Sequence, residues 1–153
     1  MAGKLYKLIS HNKKAGHNYT FIEKLEVGIS LLGNEVKSIR LGRINIRDSF
    51  ARIINGELWL FNCHINPYAQ AHMASKIDPI RNRKLLLHKH QLNKWLGKVQ
   101  EKGLTIVPVK LYFSGQRVKL EIALAKAKKL HDKREAIKQK DIKRSIRNTQ
   151  KRF

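Results

Sequence analysis

Cysteine, acidic side chains and long apolar runs are all scarce in this chain of 153 residues. The single cysteine, Cys63, excludes an internal disulfide framework and is typical of a protein from a reducing compartment. Apolar runs such as residues 104–107 are far too short to cross a bilayer. Residues 1–8 alternate apolar and basic side chains, which is unlike a secretory signal. We therefore expect a cytoplasmic protein with one folded domain and a tail.

Acidic residues are so few that the chain has a large excess of positive charge. Lys and Arg total 33 while Asp and Glu total 11, which gives a formal net charge of +22. A solvated surface normally mixes both signs, so this imbalance indicates a polyanionic partner. Binding to an anionic membrane would need an amphipathic helix with a strong apolar face or a lipidation signal, and neither is visible. Nucleic acid is the favoured partner.

The most basic segment is the tail, residues 126–153, in which twelve Lys or Arg residues accompany three acids. Its apolar residues form only a thin, broken helical stripe, made of Leu130, Ile137, Ile142 and Ile146. That stripe buries too little area to offset the entropy of ordering a chain whose charges repel one another. We expect residues 1–125 to fold and the tail to be disordered when free, becoming helical when RNA neutralises its charge.

The folded part predicts a mainly β protein with peripheral helices. Strands are predicted at about 19–32, 48–54, 57–64, 104–113 and 117–125, and helices at about 32–40 and 89–102. The clearest local signal is Asn55-Gly56 between two β-rich runs, because both residues tolerate the positive φ of a type I′ hairpin turn. Residues 65–84 are predicted as a loop with a positively charged end, and Gly28 as a bulge or bend in the first strand. About six strands with inserted helices favour a small oligonucleotide-binding barrel.

Catalytic and metal sites have little support in the sequence. Glu35, Asp48 and Glu57 do not share a helical or strand face, so each is interpreted as a surface or helix-terminal acid. Cys63 and His64 are adjacent and would point to opposite faces of a strand, and His88-x-His90 lacks further zinc ligands. Phosphate-binding glycine loops are also missing. We expect neither an enzyme nor a bound metal or cofactor.

Aromatic rings stand among cations at two places, which is typical of proteins that bind unpaired RNA. His17 and Tyr19 follow Lys13-Lys14, and His131 lies within the basic stretch 128–134. In this pattern the cations hold phosphates while a ring stacks on an exposed base. Tyr19 could also be a strand residue that lies half in the core, and His131 could simply be solvated.

Four strings of residues follow one another along the chain. They are Gly33-Asn34-Glu35-Val36-Lys37-Ser38-Ile39-Arg40, Gly42 with Asn45-Ile46 and Asp48-Ser49-Phe50, Arg83-Lys84-Leu85-Leu86-Leu87, and Lys128-Lys129-Leu130-His131-Asp132-Lys133-Arg134. In this order they resemble the small protein B family, whose members bind tmRNA. The resemblance implies an oligonucleotide-binding barrel that grips the tRNA-like domain of tmRNA. It also implies travel with elongation factor Tu to stalled ribosomes, a tail that enters the empty message channel, a monomer when free, and no catalysis.

The resemblance also implies two sets of binding residues. The set facing tmRNA is His17, Tyr19, Glu26, Lys37, Arg40, Arg43, Asn45, Leu86 and His88. The set facing the ribosomal decoding centre is His131, Asp132, Lys133, Arg134, Lys138, Lys140, Lys143, Arg144 and Arg147. Glu26 is unusual because an acid repels phosphates unless it accepts a hydrogen bond from a base or ribose, or orders a nearby cation. Ala127 departs from the family's pattern, in which Gly is as common.

Two other functions remain open at this point. A constitutive ribosomal protein, or a general binder of single-stranded RNA, would also suit a basic barrel with a basic tail. An enzyme that modifies or cleaves RNA is the third alternative. It would require RNA turnover that depends on an acid such as Glu35 or Asp48.

Overall fold

Residues 6–68 and 77–151 are described by a computed structural model, which gives the backbone alone for 130–133, 136 and 148–151. The strands are β1 Tyr6–His11, β2 Tyr19–Ile29, β3 Ile44–Asn45, β4 Phe50–Ile54, β5 Glu57–Phe61, β6 His64–Ile65, β7 Arg83–Leu86, β8 Thr105–Ser114 and β9 Arg117–Ala127. The helices are α1 Lys13–Asn18, α2 Gly33–Arg40, α3 Lys89–Lys102 and α4 Leu130–Lys151. Part of the predicted 65–84 loop lies outside the described residues.

Six antiparallel strands close into a barrel. The main sheet has the order β1-β8-β4-β5-β7-β2-β9, and β9 also pairs with β8, so the sheet joins its own edge. The strand β1 pairs with the far end of β8, from Tyr6 opposite Ser114 to His11 opposite Lys110. The short strands β3 and β6 form a separate pair. The prediction of a mainly β barrel with peripheral helices is confirmed.

The predicted hairpin is present with the predicted turn. β4 and β5 pair from Phe50 opposite Phe61 to Ile54 opposite Glu57. Asn55 and Gly56 both have positive φ, 51° and 74°. This twist matches the right-handed twist of the strands, which is why the Asn-Gly pair sets the register from local sequence alone.

Replacing Gly56 by Ala should destabilise the fold by about 1 to 2 kcal/mol, because a Cβ disfavours the left-handed backbone. Added atoms would meet nothing within 4 Å there, so the penalty is conformational rather than a clash. Gly97→Ala is the matched control, since Gly97 lies inside α3 with equally open space. It should stabilise by about 1 kcal/mol. Thermal unfolding measures both, and shifts of the same sign would contradict this account.

The barrel interior is filled by alternating side chains of its strands. Its fully buried members include Leu58, Leu60, Leu111, Leu120, Ile122 and Leu124. The helix α3 closes one side with Leu92 and Trp95, which are buried, while Val99 packs at its margin. Each such side chain contributes about 1.5 to 3 kcal/mol by leaving water. The predicted core face of α3 is therefore correct.

A second apolar cluster lies outside the barrel, under α1. Ala15 packs there against Val107 and Val109 of β8 and Ala123 and Ala125 of β9. The sequence predicted one wet face for β9, and this is wrong for its second half because α1 covers it. The elements β1 and α1 were themselves missed, since residues 6–18 are too polar to show a clear period.

One buried amide holds this missed region in place. The Asn12 side chain donates to the carbonyl oxygens of Pro108 at 2.9 Å and Ile46 at 3.2 Å, and it accepts from the Ala15 N–H at 3.1 Å. A single side chain thus caps α1 and joins it to two distant segments. Such a partner set is tertiary and leaves no local sequence pattern.

Gly28 does not form the predicted bulge. The irregularity in β2 lies between Phe21 and Glu23, while Gly28 pairs regularly with Leu86 of β7 and Lys119 of β9. A Cβ at Gly28 would lie 3.3 Å from the Cβ of Leu86. The glycine is there because the Leu86 side chain lies close against the β2 backbone.

The tail leaves the barrel two residues beyond the predicted boundary. β9 runs to Ala127, and the Lys128 N–H donates to the Asn18 carbonyl at 2.9 Å before α4 begins. Ile137, Ile142 and Ile146 are 53%, 43% and 54% exposed, so these side chains of α4 add nothing to the core, as predicted. A helix that does not pack against a core is only marginally stable in water. The sequence predicts this helical form for the tail when it is bound to RNA.

Candidate RNA-binding surface

A cleft with basic walls lies where β1, α1 and the segment after β3 meet. Its volume is about 420 Å³, and it is lined by Ser10, His11, Lys13, Lys14, His17, Asn45 and Arg47. We call these residues the basic cleft. Two residues of the predicted tmRNA-facing set, His17 and Asn45, meet in it from parts of the sequence far apart. The lining combines cations, imidazole rings and an amide, which together suit phosphate, base stacking and hydrogen bonding.

The local structure explains how the basic cleft is built. The Asn12 side chain holds α1 against the segment at Ile46, which brings His17 beside Asn45. The Asn45 side-chain oxygen accepts from the Arg47 N–H at 2.8 Å, so its amide nitrogen is left as a donor. Lys14 Nζ lies 2.5 Å from Asp48 Oδ1 in an exposed ion pair. Asp48, an acid of the enzyme alternative, therefore sits at the edge of this cleft as the partner of a lysine.

A second group of predicted residues lies around the turn between β8 and β9. A hollow on one side of this turn is lined by Tyr6, Lys7 and Arg40, and a hollow on the other by Gly28, Leu86 and Lys119, among others. Leu86 is 51% exposed, so its side chain is available as an apolar contact at this rim. The structure therefore brings Arg40 and Leu86 near the same turn, away from His17.

The register of the strands connects the two groups. His11 of β1 lies opposite Lys110 of β8, Lys110 lies opposite Glu121 of β9, and Glu121 lies opposite Glu26 of β2. Neighbouring strands are about 4.8 Å apart, so this row spans roughly 15 Å. Glu26 thus occupies the far end of a continuous outer face of β1, β8, β9 and β2 that begins at the basic cleft.

The remaining predicted tmRNA-facing residues lie on separate elements. Lys37 on α2 stands over the Tyr68 ring with 5.5 Å between its Nζ and the ring centroid. His88 precedes α3, and its ring stacks on His90 at 5.6 Å. Arg43 is exposed in the turn after α2, where its carbonyl accepts from the Asn66 N–H. Tyr19 is half-buried against the cluster under α1, as the core alternative for this residue predicted.

The predicted ribosome-facing residues lie on α4. Those with described side chains are all exposed, namely Arg134, Lys138, Lys140, Lys143, Arg144 and Arg147. The backbone of His131, Asp132 and Lys133 is in the first turn of α4, but their side chains lie outside the described part of the structure. These six exposed cations outnumber the two exposed acids of the described part of α4, Glu135 and Asp141, so the helix surface is strongly basic and suited to an RNA channel.

The sequence missed a buried ion cluster beneath this surface. Glu35 was interpreted as a surface or helix-terminal acid and Arg83 as part of a charged loop, but they are 3% and 0% exposed. Arg83 Nε and Nη2 donate to Glu35 Oε2 at 2.8 and 2.5 Å, and Arg81 Nη2 donates to Glu35 Oε1 at 2.5 Å. Arg83 also donates to the carbonyls of Cys63 and Pro79. The helix-terminal alternative for Glu35 is correct, but its surface alternative and the loop interpretation of Arg83 are wrong, because the segment before β7 folds over α2.

This Glu35–Arg81–Arg83 cluster fixes where α2 begins. Glu35 Oε1 accepts from the Leu32 N–H at 2.9 Å, so the carboxylate also caps the helix. Burial alone would raise the pKa of Glu35, but the hydrogen bonds from Arg81, Leu32 and Arg83 outweigh it and hold the pKa below its usual value. Glu35 is therefore an anion at neutral pH that anchors α2 and, with it, Lys37 and Arg40.

The described residues also bear on metals, thiol chemistry and membranes. Among them, no three His, Cys, Asp or Glu side chains gather where they could hold a metal ion. Burial raises the pKa of the Cys63 thiol to about 11, so it stays protonated and unreactive at neutral pH. Helices long and apolar enough to cross a bilayer are not found within the described ranges.

Comparison with known proteins gives a consistent family. A model of the SmpB protein family matches residues 9–152. The SsrA-binding protein of Carboxydothermus hydrogenoformans is 56% identical over 140 residues, which cover 92% of this chain and 93% of that protein. The SsrA-binding protein of Persephonella marina is 56% identical over 142 residues, covering 92% and 91%.

A solved structure agrees with these relatives. It is described as "tmRNA-SmpB: a journey to the center of the bacterial ribosome", and its SmpB-like chain superposes with a TM-score of 0.63 at 44% sequence identity. The alignment covers 89% of this chain and 95% of that one. With a family model matching almost the whole sequence and relatives above half identity, this chain is a member of the SmpB protein family.

Proposed function

We propose that this protein binds the tRNA-like domain of tmRNA and brings it to stalled ribosomes for trans-translation. The observation that carries the proposal is the basic cleft, where His17 and Asn45 converge with several cations in a chain of net charge +22. Family membership supports it, since relatives are named SsrA-binding proteins and a similar structure is described with tmRNA and the ribosome.

The barrel and the tail have separate tasks in this proposal. The outer face of β1, β8, β9 and β2, together with α2 and the start of α3, holds the RNA through the predicted tmRNA-facing residues. The tail beyond Ala127 occupies the decoding centre and the empty message channel, where ribosomal RNA neutralises its cations and favours the helix. The exposed side chains of α4 support this division, because they are free to meet RNA.

Further parts of the proposal concern partners and setting. Elongation factor Tu accompanies the protein through tmRNA rather than by direct contact, and the free protein is a monomer that acts in the bacterial cytoplasm. The protein contributes positions and charges, while the ribosome supplies the chemistry of peptide transfer. Glu35 and Asp48 support this reading, since both are in ion pairs with basic residues.

Binding to the tRNA-like domain should weaken steeply with salt. Each phosphate contact releases counterions, with a slope of about −0.7 to −0.9 in log affinity against log salt. Lys13→Gln should reduce the magnitude of that slope by about one contact. Lys102→Gln, at the exposed end of α3, is the control and should leave it unchanged. Filter binding over a salt series measures all three proteins, and a flat response of the wild type would contradict the basic cleft as an RNA site.

A pull-down separates this function from that of a constitutive ribosomal protein. The protein should be enriched on stalled ribosomes, and the dominant copurified RNA besides ribosomal RNA should be one tRNA-like species. A constitutive ribosomal protein would instead remain on all ribosomes in stoichiometric amount after a high-salt wash. Equal recovery of bulk tRNA and tmRNA would reject the proposed function.

A further inference from the structure

Two tyrosines and a carboxylate form a connected row on the outer face of the barrel. Tyr112 of β8 is buried, and its hydroxyl donates a hydrogen bond to Oε2 of Glu26 on β2. Since β9 separates β8 from β2, the Tyr112 side chain lies across the intervening strand. Tyr6 of β1 packs on Tyr112 from the other side, with ring centroids 4.8 Å apart and a tilt of 40°.

The hydrogen bond from Tyr112 fixes the orientation of the Glu26 carboxylate but leaves most of its acceptor capacity unused. Burial raises the pKa of Tyr112, and the Glu26 carboxylate raises it further, so the hydroxyl remains a hydrogen-bond donor at neutral pH. An ionised carboxylate has about four lone-pair sites, and Tyr112 occupies one of them. Glu26 is otherwise exposed. Its Oε1 and the second lone pair of Oε2 are therefore directed by Tyr112 and available to a ligand.

The environment selects a ligand that donates hydrogen bonds. Glu26 lies directly opposite Glu121, and a second acid at this position makes the place unfavourable for phosphate. Lys24 Nζ is 3.9 Å from Glu121 Oε1, beyond hydrogen-bonding distance, and Lys110 lies opposite Glu121 on the side away from Glu26, so both lysines offset the charge of Glu121 rather than that of Glu26. On a protein whose partner is RNA, the donors that remain are ribose hydroxyls and the edges of bases.

Among the four bases, guanine matches a carboxylate best. Its Watson–Crick edge carries two adjacent donors, N1–H and the N2 amino group, which can meet both carboxylate oxygens. Adenine, cytosine and uracil each place an acceptor beside their donor on that edge, and an acceptor repels a carboxylate. Tyr6 is 60% exposed and offers a ring on which a base can stack.

We propose that Tyr6 and Glu26 form a subsite for one unpaired guanine of the bound RNA, with Tyr112 as the positioning residue that aims the carboxylate. The proposal rests on the proposed function, because it names a base contact within that RNA interface. It also explains how an acid can favour RNA binding on a surface that otherwise attracts phosphates.

Inosine substitution tests the subsite in the full-length protein. Inosine is guanine without the N2 amino group. Transcripts of the tRNA-like domain are made with sparse inosine in place of guanine, and bound and unbound fractions are compared position by position. With wild-type protein, inosine at one unpaired guanine should be depleted from the bound fraction. With Glu26→Gln, that depletion should disappear.

The subsite predicts changes in RNA affinity that the loss of a charge alone would not produce. Glu26→Gln removes a negative charge, which would tighten RNA binding if the acid had no partner, but we expect it to weaken binding about tenfold. Tyr112→Phe keeps the ring and the charge, and it should weaken binding about threefold with a reduced inosine effect. Unchanged circular dichroism spectra would show that both variants fold.

Glu121→Gln is the matched control, since it makes the same charge change on the adjacent strand. It should bind as tightly as the wild type or more tightly, with the inosine depletion intact. Equal or tighter binding by Glu26→Gln with an unchanged inosine pattern would overturn the subsite and leave the proposed function standing. A wild type that shows no preference for the tRNA-like domain over bulk tRNA would overturn both.

Discussion

Ending the chain after Lys128 should abolish the tagging of incomplete proteins on stalled ribosomes but leave the affinity for the tRNA-like domain nearly unchanged. This is the expected result because β9 ends at Ala127 and the Lys128 N–H still bonds to Asn18 in the shortened chain. The described isoleucines of α4 are exposed, so their loss uncovers no core. In vitro translation of a message without a stop codon measures tagging, and filter binding measures affinity.

A second variant separates the charge of the tail from its presence. Replacing Lys138, Lys140, Lys143 and Arg144 by Gln keeps the length and the helix-forming character but removes cations that face solvent. Tagging should fall strongly in this variant as well, since the tail would no longer carry the positive charge that the RNA of the channel neutralises. Loss of tmRNA affinity on truncation would show that the barrel is not the RNA-binding unit and would refute the division of tasks.

Glu35→Gln should destabilise the fold by about 3 to 5 kcal/mol, although it changes only one atom of the side chain. The substitution leaves the Arg83 guanidinium, which is 0% exposed, without its counter-charge, and a buried unpaired charge is costly. The amide has one acceptor oxygen where the carboxylate has two, so it cannot accept hydrogen bonds from both arginines and the Leu32 N–H. Urea unfolding followed by tryptophan fluorescence measures the loss, because Trp95 lies in the core.

Glu57→Gln provides the control for this prediction. Glu57 pairs with Lys84 at 3.2 Å, but both side chains are 43% exposed, so the change should cost less than about 1 kcal/mol. A similar cost at both positions would show that the buried pair has no special role.

The same cluster predicts a dependence of stability on pH. The pKa of Glu35 in the folded protein is held below its ordinary value of 4.5, so its contribution is complete above pH 4.5 and is lost as the pH falls through the lower, folded value. The wild type should therefore lose stability on acidification from pH 4.5 downwards. Glu35→Gln should show a smaller loss over the same range, and parallel curves would contradict the linkage.

Local signals account for the part of the fold that was predicted. The Asn55-Gly56 turn, the helix α3 with its stop at Gly103, and the alternation along the first half of β9 are encoded within a few residues, and each lies where it was expected. The segment before Tyr19 was missed because its structure depends on Asn12, whose partners lie 34 and 96 residues away. Contacts at such separation leave no periodicity in the sequence.

The residues of the candidate site also fall into a group that the sequence indicated and a group that it did not. The family resemblance named His17, Asn45 and Glu26, and the structure shows how the first two meet. It could not indicate Tyr6 or Tyr112, since each is an ordinary strand residue until β1 is placed beside β8. The sequence also gave no sign that Glu35 and Arg83 are partners, because charged residues are rarely buried and the two are 48 positions apart.

The attachment of the last strand has a geometric consequence for a molecule that must touch two RNAs at once. Ala127 is paired with Tyr19, and Lys128 contacts α1 through the carbonyls of Asn18 and Gly16. The tail therefore departs beside α1, the helix that carries Lys13, Lys14 and His17 of the basic cleft. A 22-residue helix reaches roughly 33 Å from there. If the tail is helical when bound, as proposed, this length sets the distance between the RNA held by the barrel and the RNA that the end of the tail reaches.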